Sequence, residues 1–88
     1  MSSADETIRD VLDVHGRLPV AMSTLKDDDD LYQNGLSSHA SVNVMLALED
    51  AFDIEFPDAL LRKSTFESVT EIRSALHSLG VNFSSDGA

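Results

Sequence analysis

Residues 30–58 read DLYQNGLSSHASVNVMLALEDAFDIEFPD, and the middle of this stretch decides the fold. Residues 38–52 contain no Gly or Pro and many apolar side chains, which predicts a helix with Ser38 as its cap. Val44, Leu48 and Phe52 recur at intervals of four and, with Met45, are placed to face a core. Val42 and Leu46 form a second column turned to one side. A helix buried over one wide face fits the same residues, so the second column is read either as burial or as an exposed stripe.

Working outward, Ile8, Val11, Leu12 and His15 follow the i, i+3, i+4, i+7 spacing of a helix face, which predicts a first helix over 3–15. Ser3 and Glu6 read as a capping box, Asp5 and Glu6 suit the positive end of the dipole, and Gly16 is placed to close the helix in a left-handed conformation. Residues 17–37 hold no helical period, and Pro19, residues 27–30, Asn34 and Gly35 are turn or breaker residues. A connection this long is unusual in a small domain and points to function. Leu18, Leu25, Leu31 and Leu36 are placed to pin it to the core.

Beyond the central helix, Pro57 fits a first helical turn, and residues 58–62 suffice for only a short third helix. Val69, Ile72, Leu76 and Leu79 predict a final helix, opened by a Ser68–Glu71 capping box and ended by Gly80. Phe66 is placed to fill the bundle just ahead of it. No alternating apolar run supports a strand. The expected fold is all-α: a four-helix bundle with three longer helices, a short third helix and a long first loop.

At 88 residues the chain makes one domain, 1–88, with an ordered core over about 4–80 and Gly and Ser favouring frayed tails. Cysteine is absent, which excludes disulfides, Cys-based zinc sites and a cysteine nucleophile, so any sulfur chemistry must be imported. The longest apolar run, residues 44–48, is far short of a membrane span, and the first ten residues lack a signal-peptide pattern. The chain is therefore expected to be cytoplasmic and complete. A formal net charge of -10 disfavours nucleic acid and anionic membrane surfaces. The acidity either selects basic partners or only maintains solubility.

The aspartates at 27–30 lack the spaced ligands, the Gly and the final Glu of a calcium loop, and read as a solvated charge run. Ser38 and His39 are adjacent but have no oxyanion-hole motif, which argues against hydrolysis. His15 and His77 read as structural residues on or beside apolar faces, with no H-x-x-x-H pair to complete a metal site. Met22 and Met45 read as loop and core residues. What remains is a serine exposed at the head of a helix. Its elementary role is an N-cap worth about 1 kcal/mol, yet a phosphodiester there would also sit at the positive end of the helix dipole.

These residues resemble the centre of the acyl carrier protein family, in which a loop D-L-F-x-x-G-x-D-S-L leads into a helix ending A-L-E-x-x-F. Residues 47–52 match that ending, residues 53–58 match D-x-E-x-P-D, and counting back without gaps puts the family's modified serine on Ser38 with Gly35 in register. The likeness covers roughly residues 5–80. It departs from the pattern where Ser37 replaces the usual Asp and His39 the usual Leu. GLSSHASVNVMLALEDAFDIEFPD is also similar to the small bacterial aminoacyl carrier proteins.

The resemblance implies that a phosphopantetheinyl transferase joins 4'-phosphopantetheine from coenzyme A to Ser38 Oγ. It further implies that the arm's thiol holds a small amino acid as a thioester, charged by an amino acid:carrier protein ligase resembling a class II aminoacyl-tRNA synthetase. Such a protein is a monomeric cosubstrate without turnover of its own. His39, Val42, Leu46, Glu49 and Asp50 are the expected docking face. The competing readings are an acyl carrier of a specialised fatty-acid or polyketide pathway, and a non-covalent acidic module that binds a basic partner through Val42 and Leu46.

Overall fold

The computed structural model describes residues 3–81. Among them there are three α-helices and no strand: α1 (Ser3–His15), α2 (Ser38–Phe52) and α3 (Val69–Ser78). Their apolar faces meet in one core, where Ile8, Leu12, Leu31, Val44, Leu48, Val69, Ile72 and Leu76 are fully buried. The period-four stripe of α2 is thus inward at Val44 and Leu48, while Phe52 is only partly buried and packs at the core's edge. Phe56, four residues later, is the buried aromatic at that end and meets Phe66 edge to face at 5.5 Å. The chain turns back there because Asp53 adopts a left-handed φ of 53° and closes α2 onto the Glu49 carbonyl.

The long first loop is the part that departs furthest from its sequence reading. Residues 27–30 remain solvent-accessible, as the sequence reading has it, but each is also engaged by hydrogen bonds that the sequence does not announce. Asp27 takes Arg9 at 2.6 Å and Arg73 at 2.9 Å, Asp28 accepts from the Thr70 hydroxyl at 2.7 Å, and Asp29 accepts from the Lys26 amide at 2.8 Å. Asp30 accepts from the amides of Tyr32 and Gln33 and so forms a local turn. Arg9 also donates to the carbonyls of Met22 and Leu25, each at 3.0 Å. Leu31 and Leu36 are buried, as the sequence predicts.

Three further corrections concern helix ends. Residues 58–62 do not form an α-helix: Pro57 precedes a 3-10 turn at Asp58–Leu60, extended Arg62 intervenes, and a second 3-10 turn follows at Lys63–Phe66. So short a segment gains too few hydrogen bonds to offset helix nucleation, and Asp58–Leu60 buries no side chain. After α1 the left-handed residue is Arg17, with φ 51°. Gly16 serves instead by having no Cβ, which would meet the Leu12 carbonyl oxygen at 2.5 Å. His15 and His77 are exposed, so neither packs as a core histidine.

At α3 the cap and the closing glycine are as the sequence predicts, while the return bond from Glu71 that would complete a capping box is not among the hydrogen bonds of the described residues. Ser68 Oγ accepts from the Glu71 amide at 3.1 Å, and the amides of Gly80 and Val81 cap the carbonyls of His77 and Leu76. The Ser3 side chain, and with it the capping box expected at α1, lies outside the described residues, as do the tails.

Candidate functional site

The site is built at the head of α2, where two adjacent serines divide the work. Ser37, not Ser38, is the N-cap: its backbone is extended and its Oγ accepts from the Ala40 amide at 3.0 Å. Ser37 thereby performs the capping an aspartate would provide, without the negative charge. Ser38 is the first helical residue and is exposed. Its hydroxyl has no hydrogen bond among the described residues, and its carbonyl accepts from Ser41 Oγ at 2.7 Å.

The approach to Ser38 is held rigid from the loop side. Gly35 has φ 112°, and a Cβ there would lie 2.4 Å from the Pro19 ring, so glycine is required both for the turn and for the close passage of Pro19. Buried Leu36 then fixes where α2 begins.

Beside Ser38 runs a groove of about 410 Å³. Val42 and Met45 line it from α2, Phe66 supplies a buried aromatic, and exposed Leu61, Arg62 and Lys63 border it with Tyr32. Lys63 Nζ stands 4.7 Å from the centre of the Tyr32 ring. Burial pushes the Tyr32 phenol above its ordinary pKa, against the opposing pull of the Ser41 hydroxyl. Tyr32, Leu61, Arg62 and Lys63 were not singled out from sequence. An adjacent basic pair in so acidic a chain was the available signal.

Of the expected docking residues, Val42 and Leu46 are exposed by 50% and 53%, which decides between the two readings of their column: it is a solvent-facing stripe. His39 and Asp50 are exposed on the same helix. Glu49 is only half-buried, and its Oε2 accepts from the Phe56 amide at 2.8 Å, so it also tethers the chain after α2. No group of three or more His, Cys, Asp or Glu is placed to hold a metal among the described residues. Among them, too, no helix is long and apolar enough to cross a membrane.

An exposed, unengaged seryl hydroxyl on the first turn of a helix, beside an apolar groove in an acidic helical domain, is chemically able to take a covalently tethered group. A family model described as a phosphopantetheine attachment site matches residues 6–76, and the chain belongs to that family. Its prosthetic group is a covalently attached phosphopantetheine, which an accessible hydroxyl at a helix N-terminus fits.

The chain is 50% identical over 70 residues to the aminoacyl carrier protein of Agrobacterium fabrum, which covers 80% of this chain and 84% of that one. It also matches a chain in the crystal structure of an engineered Bradyrhizobium japonicum glycine:[carrier protein] ligase complexed with carrier protein from Agrobacterium tumefaciens and AMP. There the identity is 48% and the TM-score 0.81, over 83% of this chain and 97% of that chain. A chain in the structure of the Bradyrhizobium japonicum ligase complexed with glycylated carrier protein aligns with a TM-score of 0.71 at 25% identity, over 83% of this chain and 97% of that chain. This protein is thus a homologue of aminoacyl carrier proteins, in a family that is not itself catalytic.

Proposed function

We propose that this chain carries an amino acid as a thioester on 4'-phosphopantetheine attached through Ser38 Oγ, charged by an amino acid:carrier protein ligase. The observation that carries this reading is the division between the serines: capping occupies Ser37 and leaves the Ser38 hydroxyl exposed and unengaged. The likeness to carrier proteins complexed with a glycine:[carrier protein] ligase, one of them glycylated, supports an amino acid, and a small one, as cargo.

In the attachment step Ser38 Oγ bonds to the phosphorus at the pantetheine end of coenzyme A and loses its proton to a base of the transferase. The bond to the adenosine 3',5'-bisphosphate half breaks, and that half leaves with the bridging oxygen. Attached at the first residue of α2, the phosphodiester's negative charge would be favoured by the positive end of the helix dipole. Once attached, the arm supplies a thiol of ordinary pKa, near ~8.5, on which the cargo is held. The chain has no cysteine of its own to compete with it.

Ser37 in place of the family's Asp preserves the cap but removes a charge that a transferase would read, so the modifying enzyme is one that tolerates a neutral residue there. The exposed stripe of His39, Val42, Leu46 and Asp50 forms the docking face. Glu49 adds its charge from a carboxylate already tethered to Phe56. The protein acts as a cytoplasmic monomer, a cosubstrate handed between enzymes.

Intact mass tests the reading. Coexpression with a broad-specificity transferase should add one phosphopantetheinyl group to the wild type and none to Ser38→Ala, and glycine:carrier protein ligase with ATP and glycine should then add one glycyl group. An unmodified wild type would favour the non-covalent module. An arm that accepts fatty acyl but no aminoacyl groups would favour the specialised acyl carrier.

A further inference from the structure

The cations of this chain are few and unevenly employed. Against sixteen Asp and Glu there are six Lys and Arg. Arg9 and Arg73 are committed to Asp27 and Asp5. Arg62 and Lys63 form no ion pair with a carboxylate among the described residues, and they lie together on the groove that Ser38 also lines. No carboxylate lines that groove. Lys63 is given a position without being neutralised, because its Nζ rests over the Tyr32 ring at 4.7 Å.

We propose that Arg62 and Lys63 are an anion subsite for the arm: they hold the phosphodiester formed at Ser38, so that the pantetheine portion lies along Val42, Met45 and Phe66. The proposal rests on Ser38 being the attachment point. Charge complementarity selects the occupant. A phosphodiester is anionic throughout the physiological range, and this groove gathers two uncommitted positive charges on an otherwise strongly acidic chain. Its volume of about 410 Å³ falls within the range of small-molecule sites, and its walls are mostly apolar. The same charges repel an ammonium. Because free α-amino groups have pKa values of about 8, an aminoacyl thioester is substantially cationic at neutral pH, and the subsite keeps that end of the arm outside the groove. Arg62 and Lys63 are therefore positioning residues.

The test compares apo and holo forms of the wild type and of the double variant Arg62→Gln/Lys63→Gln by NMR, with intact mass run on each sample. In the wild type, attachment should shift the amides of residues 62 and 63 and the methyls of Val42 and Met45, and the phosphorus resonance of the folded holo protein should be displaced from that of the same seryl phosphodiester in the urea-unfolded holo protein. In the double variant these effects should vanish although the mass still reports one arm. The melting temperature should fall by no more than a few degrees, because both side chains are exposed and only the Lys63–Tyr32 contact is lost.

Arg62→Lys/Lys63→Arg should restore the effects, and salt near 1 M should weaken them in the wild type, where the screening length falls to about 3 Å. Shifts confined to residues 37–41, or shifts that persist in the glutamine variant, would overturn the subsite while leaving attachment at Ser38 intact. Retained arm shifts together with lost charging by the ligase would assign the pair to partner docking and overturn it equally. A wild type that takes no arm at Ser38 would overturn both readings, and the mass alone distinguishes that case.

Discussion

Asp27 Oδ2 accepts a hydrogen bond from the Arg73 guanidinium at 2.9 Å across 46 positions of sequence. Its other oxygen is taken by Arg9 at 2.6 Å, and Arg73 continues to Asp5 at 2.7 Å. One carboxylate therefore joins α1, the long loop and α3. Asp27→Asn keeps the shape and removes the charge. Side-chain exposures of 30% to 43% discount the value of these pairs well below that of buried ones. The expected cost is about 1 to 2 kcal/mol, read as a fall in melting temperature of roughly 4 to 8 °C per kcal/mol in a domain of this size. An unchanged melting temperature would show that Asp27 does not hold these elements together.

The same network sets an acid limit. The Arg9 hydrogen bond first, and then that of Arg73, lowers the Asp27 pKa below 3.8. A carboxylate whose folded pKa is depressed contributes stability that is fully present above its unfolded value. That contribution is lost as the pH falls through the folded one, because in that window the unfolded chain binds the extra proton. Stability should therefore hold from neutrality to about pH 5 and decline below about pH 4. Denaturant melts across this range should show a weaker decline in Asp27→Asn; identical acid profiles would remove Asp27 from the account.

These contacts explain where sequence reading succeeded and where it stopped. Val44 and Leu48, or Ile72 and Leu76, announce their burial by local period, since helix geometry alone puts them on one face. The engagement of Asp27 depended on Arg9 and Arg73, and that of Asp28 on Thr70, which no local pattern links to them. Ser37 and Ser38 carry the same hydroxyl, and only a one-residue difference in where the helix starts makes one a cap and the other free. Phe52 and Phe56 were separated by the left-handed turn at Asp53, a conformation that Asp tolerates without announcing it. The groove joins residues on both sides of that turn, so it became visible only once the chain was folded back.

Exchanging the serines one at a time should separate fold from function. Ser37→Ala removes the acceptor for the Ala40 amide and should cost about 1 kcal/mol while leaving Ser38 open to modification. Ser38→Ala removes no hydrogen bond made by its side chain and should leave the melting temperature within measurement error while abolishing the mass gain. Thermal melts paired with intact mass check both halves; an arm on Ser37 in the Ser38 variant would defeat the assignment.

Two phenylalanines should respond differently. Phe56→Ala empties a buried position against Phe66 and should cost about 3 to 5 kcal/mol, enough to unfold many domains of this size. Phe52→Ala, at the edge of the core, should cost less, about 1 to 2 kcal/mol. Urea unfolding gives both values, and equal losses would show that Phe52 is as deep an anchor as the spacing of α2 first indicates.

The docking face is tested by charge at its apolar column. Val42 and Leu46 are half exposed, so placing a polar group there creates no buried cost. Leu46→Glu should leave the fold unchanged, leave attachment at Ser38 complete, and lower kcat/KM for charging by about tenfold to a hundredfold. That range corresponds to about 1.4 to 2.7 kcal/mol of lost transition-state binding if the contact is a centre of the interface. Asp50→Lys should act in the same direction if the ligase presents a basic surface, and more strongly at low salt, because an exposed charge is screened beyond about 10 Å at 0.1 M. Steady-state charging of purified holo variants measures both. Unaltered charging with Leu46→Glu, in a protein that melts normally and carries its arm, would mean that the ligase reads the carrier through another surface.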